Sequence, residues 1–172
     1  MIKLKNPDVY YSEKIKTEKE IVKIVDKLKK NNKKVGLCVG GYDLLHPGHM
    51  RHFSSAKTFC DVLIVAITAD EFNSKRKGTG RPIYEGHLRA YAVSQLESVD
   101  FVLLSYCPSA VEVIKSIKPH YYIKGPDYIT KQTPGITSER EAITSVDGEM
   151  RYTIDEKLST SEIIEHIKRE VK

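Results

Sequence analysis

The sequence predicts an α/β fold: a Rossmann-like parallel sheet with helices on both faces. Three observations carry that expectation. Runs that are almost wholly apolar, such as DVLIVAIT at 61–68, are what strands covered on two faces look like. These runs alternate along the chain with segments of helical periodicity. The chain has 172 residues, 40% apolar and 30% charged, which suits one ordinary globular domain with a proper core.

The elements follow in order. A first helix is expected over 17–31, because Thr17 can cap it with Glu20 three residues on, and Ile21, Ile24, Val25 and Leu28 recur at helical spacing. Residues 1–32 are therefore read as an N-terminal segment with an amphipathic helix, packed on the same domain that 33–172 forms. A strand over 33–39 leads into a helix over 47–59, with Pro47 in the first turn, where a missing N–H costs nothing. The apolar strand at 61–68 is followed by a loop rich in Lys, Arg and Gly at 73–82. A helix over 84–97 carries Leu88, Tyr91, Ala92 and Leu96 on one side. Next come a strand over 99–104, a helix over 109–117 and a short strand over 121–123. A helix over 139–146, a strand over 149–154 and a helix over 159–171 close the chain. No internal repeat and no low-complexity linker interrupts this order.

Charge and composition narrow the function. The net charge is +5, but the excess lysine lies largely in KIVDKLKKNNKK at 23–34, the wet face of the first helix. No aromatic-rich basic strand accompanies it, so nucleic acid is not the expected partner, whereas a cationic surface suits a phosphorylated small molecule. No apolar run approaches the roughly 20 residues needed to span a bilayer. The start, MIKLKNPDVYYSEK, has no apolar core followed by a small-residue cleavage site, so a signal peptide is not expected there. Cys38, Cys60 and Cys107 form no CxxC pair, which indicates a reducing, cytoplasmic compartment.

In open parallel sheets, ligands bind outside the carboxyl ends of the strands. Three polar segments fall at such ends: GGYDLLHPGH, ADEFNSKRKGTGRP and KGPDY. In the first, Gly40 and Gly41 let the backbone turn sharply and approach a ligand. The helix that follows offers free N–H groups and a positive dipole end to an anion. His46 and His49, three apart, share one side of its first turn and can donate to phosphate oxygens, while His52 is expected to point past the site. Incidental surface histidines, or two of three zinc ligands, are the alternatives, but neither explains the preceding Gly-Gly or Asp43, so no resident metal is expected. The absence of GxGxxG after the first strand argues against a dinucleotide oxidoreductase.

These residues carry a resemblance. GYDLLHPGH resembles the HxGH signature of the nucleotidyltransferase superfamily, in its cytidylyltransferase-like branch. KGTGRPI resembles the segment after the second strand in the ADP-heptose synthases, KGPDY resembles their KGGDY, and STSEII resembles their STT-x-I-I. The likeness spans residues 17–170 and implies NTP-dependent transfer of a nucleotidyl group to a phosphorylated acceptor, with Mg²⁺ accompanying the NTP, in a homodimer. It implies that His46 and His49 hold the α- and β-phosphates. Lys77 becomes a mobile lysine closing on the phosphates, and Arg89 a phosphate contact from the next helix. Gly40, Gly41, Tyr42, Asp43 and Gly48 line the nucleotide pocket, and Gly125 and Asp127 sit beside the base and ribose. Ser159, Thr160 and Ser161 cap the last helix and reach the triphosphate, and Arg81 binds the acceptor. The chain departs from the family at Pro126, which replaces a glycine. It also lacks, in TIDEKLSTS, the arginine of the RTxGISTT stretch of glycerol-3-phosphate cytidylyltransferases. The expected substrates are thus ATP and a sugar 1-phosphate such as heptose 1-phosphate. The alternatives are CTP with glycerol 3-phosphate, and a binding module without turnover.

Overall fold

Val35–Gly40 (β1) is the central strand, and its VGLCVG sequence is apolar because both faces are covered. Val62–Thr68 (β2) pairs with it in parallel on one side and Tyr121–Lys124 (β4) on the other. Phe101–Ser105 (β3) continues beyond β2 and Glu149–Tyr152 (β5) beyond β4, so the five-stranded parallel sheet runs β3-β2-β1-β4-β5. The computed structural model describes residues 1, 2, 6, 9–78, 80–156 and 158–171, and for Arg76 and Lys77 the backbone alone.

Helices cover both faces. On one, Glu18–Lys30 (α1), Ala110–Ile117 (α5) and Pro134–Thr144 (α6) bring Ile21, Val25, Val113, Ile114, Ile117, Ala142 and Ile143 onto Val35, Leu37, Ile64, Ala66 and Tyr122. On the other, Pro47–Lys57 (α2) and Gly86–Ser94 (α4) bring Phe53, Ala56, Ala90 and Val93 onto Cys38, Leu63, Val65, Ile67 and Ile123. Thr17 caps α1, accepting from Glu20 N while the Glu20 carboxylate accepts from Thr17 N. Thr160–Glu170 (α7) closes the chain. No helix among the described residues is long and apolar enough to cross a membrane.

Two elements differ from the sequence expectation. The segment expected to be a loop at 73–82 is helical as far as Lys77, in Asp70–Lys77 (α3). What seats it is Asn73, a polar residue with no exposed surface, so no apolar rhythm marked it. α6 begins at Pro134 rather than at 139, with Thr133 capping it and accepting from Ile136 N. Its Thr-Pro-Gly start reads as a turn unless the proline is placed at the first helical position.

The outer edge of β3 is covered by the N-terminal segment. Ile15 bridges to Val102; Val102 N donates to Lys14 O (2.8 Å) and Lys16 N donates to Val102 O (2.9 Å). The Lys14 ammonium donates to the carbonyls of Leu96 and Val99 at 2.9 and 2.7 Å. Among the described residues, nothing pairs with the outer edge of β5. β2 and β3 lie to one side of β1 and β4 and β5 to the other, so the order reverses between β1 and β4. A crevice outside the strand ends is expected at that point.

Candidate active site

The site starts where β1 ends. The chain turns through Gly40, Gly41 and Tyr42, the last at φ 43°. A Cβ on Gly41 would stand 2.7 Å from Asn73 Oδ1, so only glycine lets the turn press against α3. The Gly41 carbonyl accepts from Arg89 Nη1. The same guanidinium donates to Thr68 O at 2.9 Å, Asp70 Oδ1 at 2.6 Å and Tyr84 O at 3.1 Å. Arg89, expected to contact phosphates, is thus buried beneath the site and is not among the residues lining its cavity. It fastens the ends of β1 and β2 to the start of α3.

His46 precedes α2 in extended conformation, and Pro47 opens the helix. The His46 ring stacks on His49 with centroids 3.8 Å apart, and Tyr42 meets His49 edge-on at 5.3 Å. His46 is buried, and neither of its ring nitrogens has a hydrogen-bond partner among the described residues. Burial pushes its pKa down, partly opposed by the carboxylate of Glu162, so the ring is neutral at pH 7, with one donor and one acceptor nitrogen. Buried polar atoms left unpaired are costly, and a ligand that pairs them recovers that cost.

α7 is brought in beside α2. Thr160 Oγ1 donates to Leu44 O at 3.3 Å, and Ser159 and Glu162 complete a capping box. A Cβ on Gly48 would stand 2.9 Å from the Leu158 Cβ, so the missing side chain admits the connection to α7. α2 holds that connection further along. The Asp155 carboxylate accepts from Arg51 Nε (3.0 Å) and Ser55 Oγ (2.8 Å), and His52 Nδ1 lies 2.9 Å from Thr153 Oγ1. His52 therefore does not point past the site: it lines the cavity, with its Nε2 3.6 Å from Cys38 Sγ. Two helix N-termini consequently converge, and both present N–H groups and positive dipole ends.

A cavity of about 900 Å³ opens over these strand ends. It brings together Gly40, Gly41, Tyr42, Asp43, His46, Gly48, His49, Arg81, Gly125, Asp127, Ser159, Thr160 and Ser161. The Lys77 side chain lies outside the described residues. Asp43 is held by Arg81 Nε and Ile83 N, so its carboxylate orients Arg81. Arg81 Nη2 is buried and has no hydrogen-bond partner among the described residues. Sequence reasoning missed Lys124, Glu139, Tyr128 and Lys131, which also line the cavity. Lys124 was visible as the first residue of KGPDY; Glu139 lay at the expected start of a helix and carried no signal. No group of three His, Cys, Asp or Glu among the described residues could hold a metal ion.

The model of the family described as cytidylyltransferase-like matches residues 37–166, from β1 into α7. The chain belongs to the cytidylyltransferase-like family of nucleotidyltransferases. Similar to this family member are the bifunctional protein HldE of Aliarcobacter butzleri, 38% identical over 150 residues, and that of Campylobacter jejuni, 35% identical over 162. They cover 86% and 93% of the chain, which in turn spans 32% of each of them. Among solved structures, a lipopolysaccharide core biosynthesis protein from Thermoplasma volcanium matches with a TM-score of 0.60 at 20% identity, covering 73% of this chain and 99% of its own. A pantoate-beta-alanine ligase from Francisella tularensis matches at 0.58 and 15% identity, covering 91% and 77%. At these identities the structural likenesses speak for the fold alone. The cytidylyltransferase-like match takes in both histidines of HPGH and the capped start of α7.

Proposed function

We propose that the chain transfers a nucleotidyl group from an NTP, with ATP preferred over CTP, to the phosphate of a sugar 1-phosphate such as heptose 1-phosphate. The observation that carries this reading is the stacked His46–His49 pair, with His46 buried and His49 half-buried, at the junction of the two helix N-termini. The choice of base and acceptor rests on the likeness of KGTGRPI and KGPDY to the ADP-heptose synthases and on the arginine missing before STS.

An oxygen of the acceptor phosphate forms a bond to the α-phosphorus while the bond to the bridging oxygen breaks, and pyrophosphate leaves with that electron pair. An ionised phosphate is already a nucleophile, so the protein contributes position and charge rather than a strong base. His46 and His49 donate N–H to the α- and β-phosphate oxygens, where negative charge gathers in the transition state. The first turns of α2 and α7 direct further donors to the triphosphate. Arg81, held by Asp43, supplies a cation to the acceptor. The carboxylates of Asp43, Asp155 and Glu139 at the cavity are engaged by Arg81, Arg51 and Lys124. This suits a Mg²⁺ held mainly by triphosphate oxygens and water, where it would neutralise phosphate charge.

Four NTPs crossed with sugar 1-phosphates, glycerol 3-phosphate and other phosphorylated acceptors, read by pyrophosphate release, test the reading. Turnover is expected with ATP and a sugar 1-phosphate. CTP turnover without ATP turnover overturns the base, and glycerol 3-phosphate accepted alone overturns the acceptor. His46→Ala and His49→Ala should each lower kcat about 10²-fold or more, with a much smaller change in the KM for NTP. Near-normal turnover in either variant removes the centre of the proposal.

A further inference from the structure

Among the described residues of α3, Asn73 alone is buried, and it takes no part in the transfer above. It has no exposed surface, yet neither heteroatom of its amide has a hydrogen-bond partner among the described residues. The amide can both donate and accept, and burying it with none of those bonds made is costly. A leucine of like volume would seat α3 without that cost. The amide lies against Gly41: a Cβ there would stand 2.7 Å from Asn73 Oδ1, 2.9 Å from Nδ2 and 3.1 Å from Cγ. Gly41 lines the cavity and Asn73 does not, so the amide meets the glycine turn from outside the cavity.

The neighbours of Asn73 along α3 are tied down. The Asp70 carboxylate accepts from Arg89 Nη2 at 2.6 Å and from Gly86 N at 3.2 Å. Ser74 Oγ stands 2.8 Å from the carbonyls of both Asp70 and Arg81. α3 is therefore a wedge between the Gly40–Gly41 turn and the segment that carries Arg81. It holds the amide in a fixed place, while two glycines leave the turn free to adjust. We propose that Asn73 is a positioning residue for the NTP: its amide pairs with the Gly41–Tyr42 main chain when a nucleotide fills the cavity, and so sets the bound path of the turn. Hydrogen bonds made only in the bound form add to the affinity for the nucleotide, because they favour one of two states of the turn. This rests on the nucleotidyl-transfer reading above.

The test uses the intact protein and α,β-methylene-ATP, or its CTP counterpart if the acceptor panel selects CTP. Asn73→Leu keeps the volume and removes the amide. Its melting temperature without the analogue should equal or exceed that of the wild type, because no hydrogen bond is lost. Its Kd for the analogue, measured by calorimetry, should nonetheless rise about tenfold or more. A merely structural residue would move the melting temperature and leave that Kd alone. In isotope-labelled wild type, the Asn73 side-chain amide protons, assigned by their absence from the variant, should shift and exchange more slowly once the analogue is bound. If Asn73→Leu does not fold, Asn73→Ala, a good helix former, decides by the same Kd. An unchanged Kd in the folded variant, or side-chain signals that ignore the analogue, overturns the proposal, while wild-type turnover leaves the function standing. A wild type that neither binds the analogue nor releases pyrophosphate with any NTP and acceptor sinks both.

Discussion

Arg89 illustrates how one side chain can hold a site without touching it. Its guanidinium satisfies the carbonyls of Gly41, Thr68 and Tyr84 and pairs with Asp70. Removing it takes that donor from three carbonyls, of which the Thr68 bond is fully buried, and leaves the partly exposed Asp70 carboxylate with Gly86 N. Arg89→Met is therefore expected to cost about 3 kcal/mol or more, seen as a lower urea midpoint at an unchanged slope. Arg89→Lys should recover little, because a single ammonium cannot reach what a planar fork reaches. Loss of turnover at an unchanged midpoint would return Arg89 to the phosphates. The sequence signalled that this arginine mattered but not how, since its partners are main-chain carbonyls that any residues would supply. Arg81 was legible in the same incomplete way: KGTGRP marks the residue, while its carboxylate partner, Asp43, lies 38 positions away.

Among the elements, α2 does two jobs at once. Its start brings His46, which precedes it, together with His49, and its later turns, through Arg51, His52 and Ser55, hold the connection leading to α7. Gly48 is the point of closest approach, so Gly48→Ala should push Leu158 and the start of α7 away from α2. We expect about a tenfold or greater fall in kcat/KM for NTP with little loss of folding stability. Steady-state kinetics beside a melting curve would check this, and a variant with wild-type kinetics would show that α7 need not be so close. Strands and most helices could be read from the chain because their burial leaves a rhythm: VLIVAIT in β2, and Ile21 and Val25 in α1. α3 could not be, because its DEFNSKRK sequence is almost wholly polar and is seated by Asn73. The HPGH and STS motifs sit at helix starts, where a local pattern suffices. The α5–α6 side of the cavity is assembled from distant segments, and no local pattern announces it.

Across the whole molecule, several histidines couple folding to acidity. Burial lowers the pKa values of His46, His52 and His120 below the ordinary 6.5. As the pH falls through 6.5, the unfolded chain takes up protons before the folded one does. Stability is then complete above 6.5 and declines below it. The urea midpoint should be lower at pH 5.5 than at pH 7.5, and His52→Gln should flatten that difference. A midpoint that rises on acidification would contradict the burial of these rings.

The covered edge of β3 sets how many ways this sheet can be extended. An uncapped strand can recruit another chain, and a sheet with two such strands can grow without limit. Here Lys14, Ile15 and Lys16 occupy one end, and among the described residues nothing pairs with the other, β5. Counted over the described residues, the sheet has a valence of one. Edge-to-edge association can join two copies, after which neither offers an end to a third. A chain lacking residues 1–16 has a valence of two, and light scattering should then register species that lengthen with concentration instead of stopping at a pair.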